Sequence, residues 1–209
     1  MILGVIPARL NSTRFPSKVI FPLKCKPIIE HVYEKALQSN LLNKVIVAVD
    51  SEETKNVINC QNIIMTSDKH QSGTDRVAEV ANNFNCDIVV NIQGDEPGID
   101  PLLIDKLIQL FEDPDVEMAS IASTDLKEDD LNNDNVVKVN LDKENNAISF
   151  IRNNLNPEST YYRHIGIYAY RKNTLNLFTS LTQSDNEKNH RLEQLRALDN
   201  NIAIKLLIS

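Results

Sequence analysis

Three short apolar runs constrain the fold more than any other feature: ILGVIPA at 2–8, VIVAV at 45–49 and IVVNI at 88–92. Each is rich in Val and Ile, and none alternates regularly with polar residues. Such runs suit strands buried on both faces, as in a parallel sheet covered by helices. Helical patterns separate them. Residues 27–39 open with Pro27 at the first turn and carry Ile28, Val32 and Ala36 at i, i+4 and i+8. Asp50 with Glu53 predicts a capping box for a second helix over 51–60. Ser72 predicts the N-cap of a third, with Val77, Ala78, Ala81 and Phe84 on one face. Another helix follows Pro101. This alternation predicts an α/β fold with right-handed crossovers and a mainly parallel central sheet flanked by helices.

The pattern changes in the second half. Residues 125–134 are acidic, Val136 to Leu141 alternate like a half-buried strand, and 142–146 read as a turn. Residues 147–151 then return as the hairpin partner. A strand over 161–170, a helix over 187–199 and a last strand over 202–208 follow. The expectation is a single domain over 1–209 with a small antiparallel insertion at about 117–170.

With 209 residues, 42% of them hydrophobic, roughly 70% of the unfolded chain's surface can be buried without a disulfide or metal staple. A formal net charge of −7 argues against a surface devoted to nucleic acid, because such domains run basic. No run approaches the roughly 18 apolar residues of a membrane span. The N-terminus reads as a first strand rather than a signal peptide. Cys25, Cys60 and Cys86 are odd in number and far apart; they read as buried thiols in a reducing cytoplasm. Glycine is scarce, at five residues, or roughly a third of the usual ~7%. Gly73, Gly94, Gly98 and Gly166 sit in or beside polar motifs, which predicts sharp turns or close approach to a ligand there.

Charge is unevenly placed. The first 29 residues hold Arg9, Arg14, Lys18, Lys24 and Lys26 and no acid, leaving 29 acids against 17 cations in the rest. Three of these cations, with Ser12 and Thr13, fall in RLNSTRFPSK after the first strand. Ligands of open α/β sheets bind beyond the carboxyl ends of strands. This loop therefore suits the phosphate oxygens of a polyanion, the alternative being a solvated basic loop. Neither GxxxxGK[ST] nor GxGxxG is present there, which counts against P-loop ATPases and dinucleotide oxidoreductases.

In NIQGDEP at 91–97, Gln93, Asp95 and Glu96 emerge where a buried strand should end. A hard cation such as Mg²⁺ is held by one or two carboxylates plus substrate phosphates, which points to Asp95. The alternative is a turn or capping acid before the helix at Pro101. In HQSGTDR at 70–76, Gln71, Ser72, Gly73 and Thr74 put amides and small donors at a helix start, suiting base or phosphate recognition or simple capping. Arg152, His164, Tyr168 and Glu193 are polar groups among apolar ones; spacing alone leaves them as structural groups or site residues.

IPARLNSTRFPSK, DKHQSGTDRVAEV, VVNIQGDEP, RHIGIYAYR and LEQLRAL occur in this order over nearly the whole chain. Together they resemble the 3-deoxy-manno-octulosonate cytidylyltransferase (CMP-Kdo synthetase) family. The resemblance implies a Rossmann-like nucleotidyltransferase fold, a cytoplasmic homodimer, and transfer of CMP from CTP to the sugar acid Kdo for lipopolysaccharide synthesis. It further implies that Arg9, Ser12, Thr13 and Lys18 hold the CTP phosphates and ribose with Arg14 beside them. Gln71, Ser72, Gly73 and Arg76 would surround the cytosine. Gln93 and Asp95 would meet at the reacting centre, with Asp95 on Mg²⁺. Arg152, His164, Tyr168, Glu193 and Gln194 would line the sugar-acid pocket.

Departures accompany the resemblance, among them a shortened NNLNP after Arg152 where a longer proline-containing loop is common. Ile151 stands before Arg152 where the family has Ser. The family's G-x-D-T/S-x-x-D-like segment, which brings another metal-binding aspartate, is expected to be absent. An acceptor such as amino-Kdo or a sialic-like acid, or a non-catalytic CTP- or sugar-binding homologue, are the alternatives.

Overall fold

The computed structural model describes residues 1–9 and 18–209, which form two compact units, Met1–Ile108 and Gln109–Ser209. The elements of the first unit are β1 (Ile2–Ala8), a two-residue hairpin of β2 (Pro22–Leu23) and β3 (Lys26–Pro27), α1 (Ile28–Ala36) and β4 (Lys44–Val49). They continue with α2 (Glu52–Val57), β5 (Ile63–Met65), α3 (Gly73–Asn82), β6 (Ile88–Asn91) and α4 (Pro101–Gln109).

The three apolar runs lie in one parallel sheet. β1 pairs in parallel with β4 on one side and β6 on the other, and β5 extends the sheet beyond β4. Leu3, Val5, Ile6 and Ala8 are all buried, as continuous apolar strands in such a sheet must be. Helix α1 buries Ile29, Val32, Tyr33 and Ala36. Helix α3 buries Val77, Ala78 and Ala81, with Phe84 half-buried under Lys44. The second helix corrects its predicted cap. Ser51, not Asp50, accepts from the Thr54 amide, because the Asp50 carboxylate is turned to Arg76. The helix ends at Val57 rather than at residue 60.

In the second unit come β7 (Met118–Ser123), α5 (Glu128–Leu131), β8 (Lys138–Leu141), β9 (Ala147–Ile151), β10 (Tyr162–Arg171), α6 (Lys172–Ser180), α7 (Asp185–His190), α8 (Leu195–Asp199) and β11 (Lys205–Ile208). The predicted hairpin is β8–β9, antiparallel, and β8 also pairs antiparallel with β10. β7 lies antiparallel to β10 and parallel to β11.

The single helix predicted over 187–199 is two helices. Arg191 adopts left-handed backbone (φ 54°), which ends α7. The buried Arg196 guanidinium then reaches back to both Glu187 oxygens at 2.8 and 2.6 Å. Helix α6, KNTLNLFTS, escapes prediction because its Asn and Thr residues are weak helix formers; burial of Thr174, Leu175 and Phe178 holds it.

Among the described residues no glycine takes the left-handed conformation; Lys24, Cys25, Asn145, Asn154, Arg191 and Asn201 do. One further expectation is corrected: the thiols are not uniformly buried. Cys86 is buried, Cys60 is intermediate with burial pushing its pKa up to about 12, and Cys25 is exposed. Cys25 follows Lys24 in the tight β2–β3 turn, where neither side chain can reach a core. No helix among the described residues is long and apolar enough to cross a membrane.

Candidate active site

The first unit gathers its polar groups at the carboxyl ends of β1 and β6. Arg9 follows β1 directly, is exposed, and donates from Nη1 to the Gln71 carbonyl at 3.2 Å. Arg9 and HQSGTDR are therefore neighbours. Ser72 caps α3: its Oγ accepts from the Asp75 amide at 3.1 Å and the Asp75 carboxylate accepts from the Ser72 amide at 3.0 Å. The amides of the first helical turn lack intrahelical acceptors, so Gly73 opens the helix with donors for an anion or a base edge. His70 Nε2 bonds Glu79, whose Oε2 also accepts from the Ser67 amide at 3.0 Å. That pair ties the preceding loop to α3.

Gly94 has a close-approach role. A Cβ at this position would stand 3.0 Å from the Pro7 carbonyl oxygen, so only glycine lets the QGDEP turn pass β1 this closely. The turn delivers Asp95 to Lys18, with Nζ 2.7 Å from Oδ2. Gln93 is half-buried at its start. Ser12, Thr13 and Arg14 lie outside the described residues.

Among the described residues no group of three His, Cys, Asp or Glu side chains is arranged to hold a metal. A single hard oxygen donor does fit a divalent cation whose other ligands come from a nucleotide. Asp95 is that donor. Arg76 is placed differently from a base-contacting residue: its side chain is 1% exposed, Nη1 bonds Thr66 Oγ1 and Nη2 lies 3.3 Å from Asp50 Oδ2.

The second unit builds its own polar cluster around β10. His164 is half-buried, with Nε2 2.9 Å from Ser120 Oγ. Phe150 meets the ring edge-on at 5.0 Å and Tyr168 lies at 5.5 Å. Burial pushes the His164 pKa down to about 3 and raises that of the Tyr168 phenol well above its ordinary value. Both are neutral hydrogen-bonding groups at physiological pH. Glu193 Oε1 lies 3.9 Å from Arg196 Nη2, and Gln194 is buried beside it at the start of α8.

Arg152 is anchored at both ends. Its Nη1 donates to the Asp134 carbonyl at 2.8 Å, and its own carbonyl accepts from Lys138 Nζ at 2.5 Å. Lys138 also bonds the Asn133 carbonyl at 2.9 Å and is fully buried, which lowers its pKa. Sequence reasoning missed Lys138, Ser120 and Asp50. Lysine in VVKVNL reads as the solvated face of an alternating strand, yet Lys138 and Val139 are both buried. Nothing in MASIAS marks Ser120.

This arrangement is that of a nucleotidyltransferase. Residues 3–204 match the family model described as cytidylyltransferase. The chain is 39% identical over 225 residues to the 3-deoxy-manno-octulosonate cytidylyltransferase of Pelobacter propionicus, covering 99% of this chain and 88% of that protein. It is 41% identical over 223 residues to the enzyme of the same name from Thermodesulfovibrio yellowstonii, covering 97% and 88%. A solved structure of CMP:2-keto-3-deoxy-manno-octonic acid synthetase complexed with CTP superposes with a TM-score of 0.93 at 35% identity, covering 100% of this chain and 89% of that one. The chain belongs to the 3-deoxy-manno-octulosonate cytidylyltransferase family.

Proposed function

We propose that this enzyme transfers CMP from CTP to the anomeric hydroxyl of Kdo, releasing pyrophosphate and supplying CMP-Kdo for lipopolysaccharide synthesis. The observation that carries the reading is identity of 39–41% to enzymes of that name over 97–99% of the chain. The geometry of each unit supports it. Transfer at a phosphorus centre needs positioned charge more than covalent help from protein, and the first unit offers charge at the sheet's end.

Arg9 and Lys18, with Ser12, Thr13 and Arg14, hold the phosphates and ribose. Lys18 exchanges its carboxylate partner for a phosphate oxygen and neutralises the leaving pyrophosphate. Gln71, Ser72 and Gly73 face the cytosine, and Arg76 braces their helix from within through Asp50 and Thr66. Gln93 and Asp95 stand at the reacting centre. Asp95, with the nucleotide, would hold a divalent cation, Mg²⁺ in this reading; bound there it would neutralise phosphate charge and lower the pKa of the attacking hydroxyl.

In the second unit Arg152 pairs with the substrate carboxylate, a charge-assisted bidentate contact. His164, Tyr168, Glu193 and Gln194 engage the sugar hydroxyls. The family resemblance supports a cytoplasmic homodimer. The test is pyrophosphate release from CTP with a panel of acceptors under Mg²⁺. Kdo should be the preferred acceptor; release with amino-Kdo or a sialic-like acid but not Kdo would overturn the substrate.

A further inference from the structure

β10 is irregular where it carries its polar residues. Its register against β7 shifts between Ile165 and Tyr168, so that Ala122 faces His164 while Ser120 faces Tyr168. A bulge of this kind leaves backbone carbonyls outside the regular ladder. Ser120, fully buried in β7, fills the gap. Its Oγ lies 2.9 Å from the Ile167 carbonyl, 3.3 Å from the Ile165 carbonyl and 2.9 Å from His164 Nε2.

These three distances fix a proton. A serine hydroxyl has one hydrogen and two lone pairs, and a carbonyl oxygen can only accept. Donation to His164 would turn the Ser120 lone pairs toward two carbonyl oxygens; all three contacts are satisfied when the proton goes to the Ile165 and Ile167 carbonyls and the same oxygen accepts from His164. His164 Nε2 must then be the protonated nitrogen. In a neutral imidazole that leaves Nδ1 as a bare acceptor. The ring is neutral because its burial disfavours the charged form. Phe150 and Tyr168 hold the ring's orientation, and Nδ1 has no hydrogen-bond partner among the described residues.

We propose that Ser120 is a positioning residue that locks His164 in the Nε2–H tautomer, so that Nδ1 presents a lone pair to a hydroxyl of the polyhydroxylated acid substrate. The inference rests on the reading of His164 as part of the sugar-acid site. A histidine fixed this way discriminates by polarity. It accepts from a hydroxyl, and it rejects a second acceptor at that position because neither partner would carry a proton.

The test is ¹⁵N-resolved NMR of the histidine side chains in the full chain at neutral pH, with the His164 signals assigned by their loss in His164→Phe. The expected spectrum has Nε2 protonated and Nδ1 bare; a protonated Nδ1 in the parent chain overturns the proposal without any Ser120 variant having to fold. Ser120→Ala should mix the tautomers and raise the KM for Kdo about tenfold while the KM for CTP stays within about twofold, and Ser120→Thr should restore both readouts. His164→Phe that raises the KM for Kdo, beside a Ser120→Ala that leaves tautomer and KM unchanged, overturns the role of Ser120 and leaves the sugar-acid site standing. His164→Phe without effect on that KM overturns both.

Discussion

Lys18 Nζ lies 2.7 Å from Asp95 Oδ2, so the cation read for the phosphates and the acid read for the metal are already paired. Their side chains are 42% and 37% exposed, and such a pair contributes at most about 1 kcal/mol. Asp95→Asn should therefore leave stability within about 1 kcal/mol of the parent in urea unfolding. Its turnover should fall on the order of a hundredfold, because charge neutralisation at the phosphates is worth several kcal/mol. Full activity in Asp95→Asn at limiting Mg²⁺ would remove Asp95 from the reacting centre.

Arg9 is exposed and, among the described residues, donates to a backbone carbonyl at 3.2 Å. Arg9→Ala should keep the parent's unfolding midpoint while weakening CTP binding by roughly 10- to 150-fold, the loss of about 1.5–3 kcal/mol from one charge-assisted contact. Calorimetric titration with CTP decides this. An unchanged affinity would make the loop an ordinary solvated one.

Burial pattern made the parallel sheet legible: a strand such as 2–8, apolar without alternation, has few other places to go. The Ser72 N-cap was legible because it rests on local geometry. What the sequence concealed depends on long-range pairing. Nothing local shows that Arg76 turns inward to Asp50, that Lys138 is buried beneath Arg152, or that Arg191 breaks the last helix so that Arg196 can meet Glu187. Composition likewise could not show Cys25 on the outside, since its place follows from a two-residue turn.

His164 makes stability depend on pH. In the unfolded chain a histidine takes up a proton below about 6.5, whereas the folded His164 does so only near about 3. Between those values the unfolded state binds more protons, so stability rises with pH and is lost as pH falls through that window. The slope from this group is up to about 1.4 kcal/mol per pH unit. Urea unfolding at pH 7.5 and 5 should show the loss in the parent chain and a smaller one in His164→Phe; equal losses would contradict it.

The Glu187–Arg196 pair joins α7 to α8 with side chains 6% and 4% exposed. Glu187→Gln leaves the buried guanidinium with Glu193 at 3.9 Å. Breaking a buried pair from one side costs about 3–5 kcal/mol, a shift readily seen in the urea midpoint. A change below about 1 kcal/mol would mean the pair is solvated as a surface bridge is.

The central claim is that this chain joins CMP to Kdo. Phosphorus NMR of the chain with CTP, Kdo and Mg²⁺ tests it directly, because the phosphodiester of CMP-Kdo and free pyrophosphate give separate signals. The account predicts both signals growing in equal amounts at the expense of CTP, and neither growing when Kdo is left out. CTP that stays intact with all three present, or pyrophosphate that appears without a new phosphodiester, would contradict it.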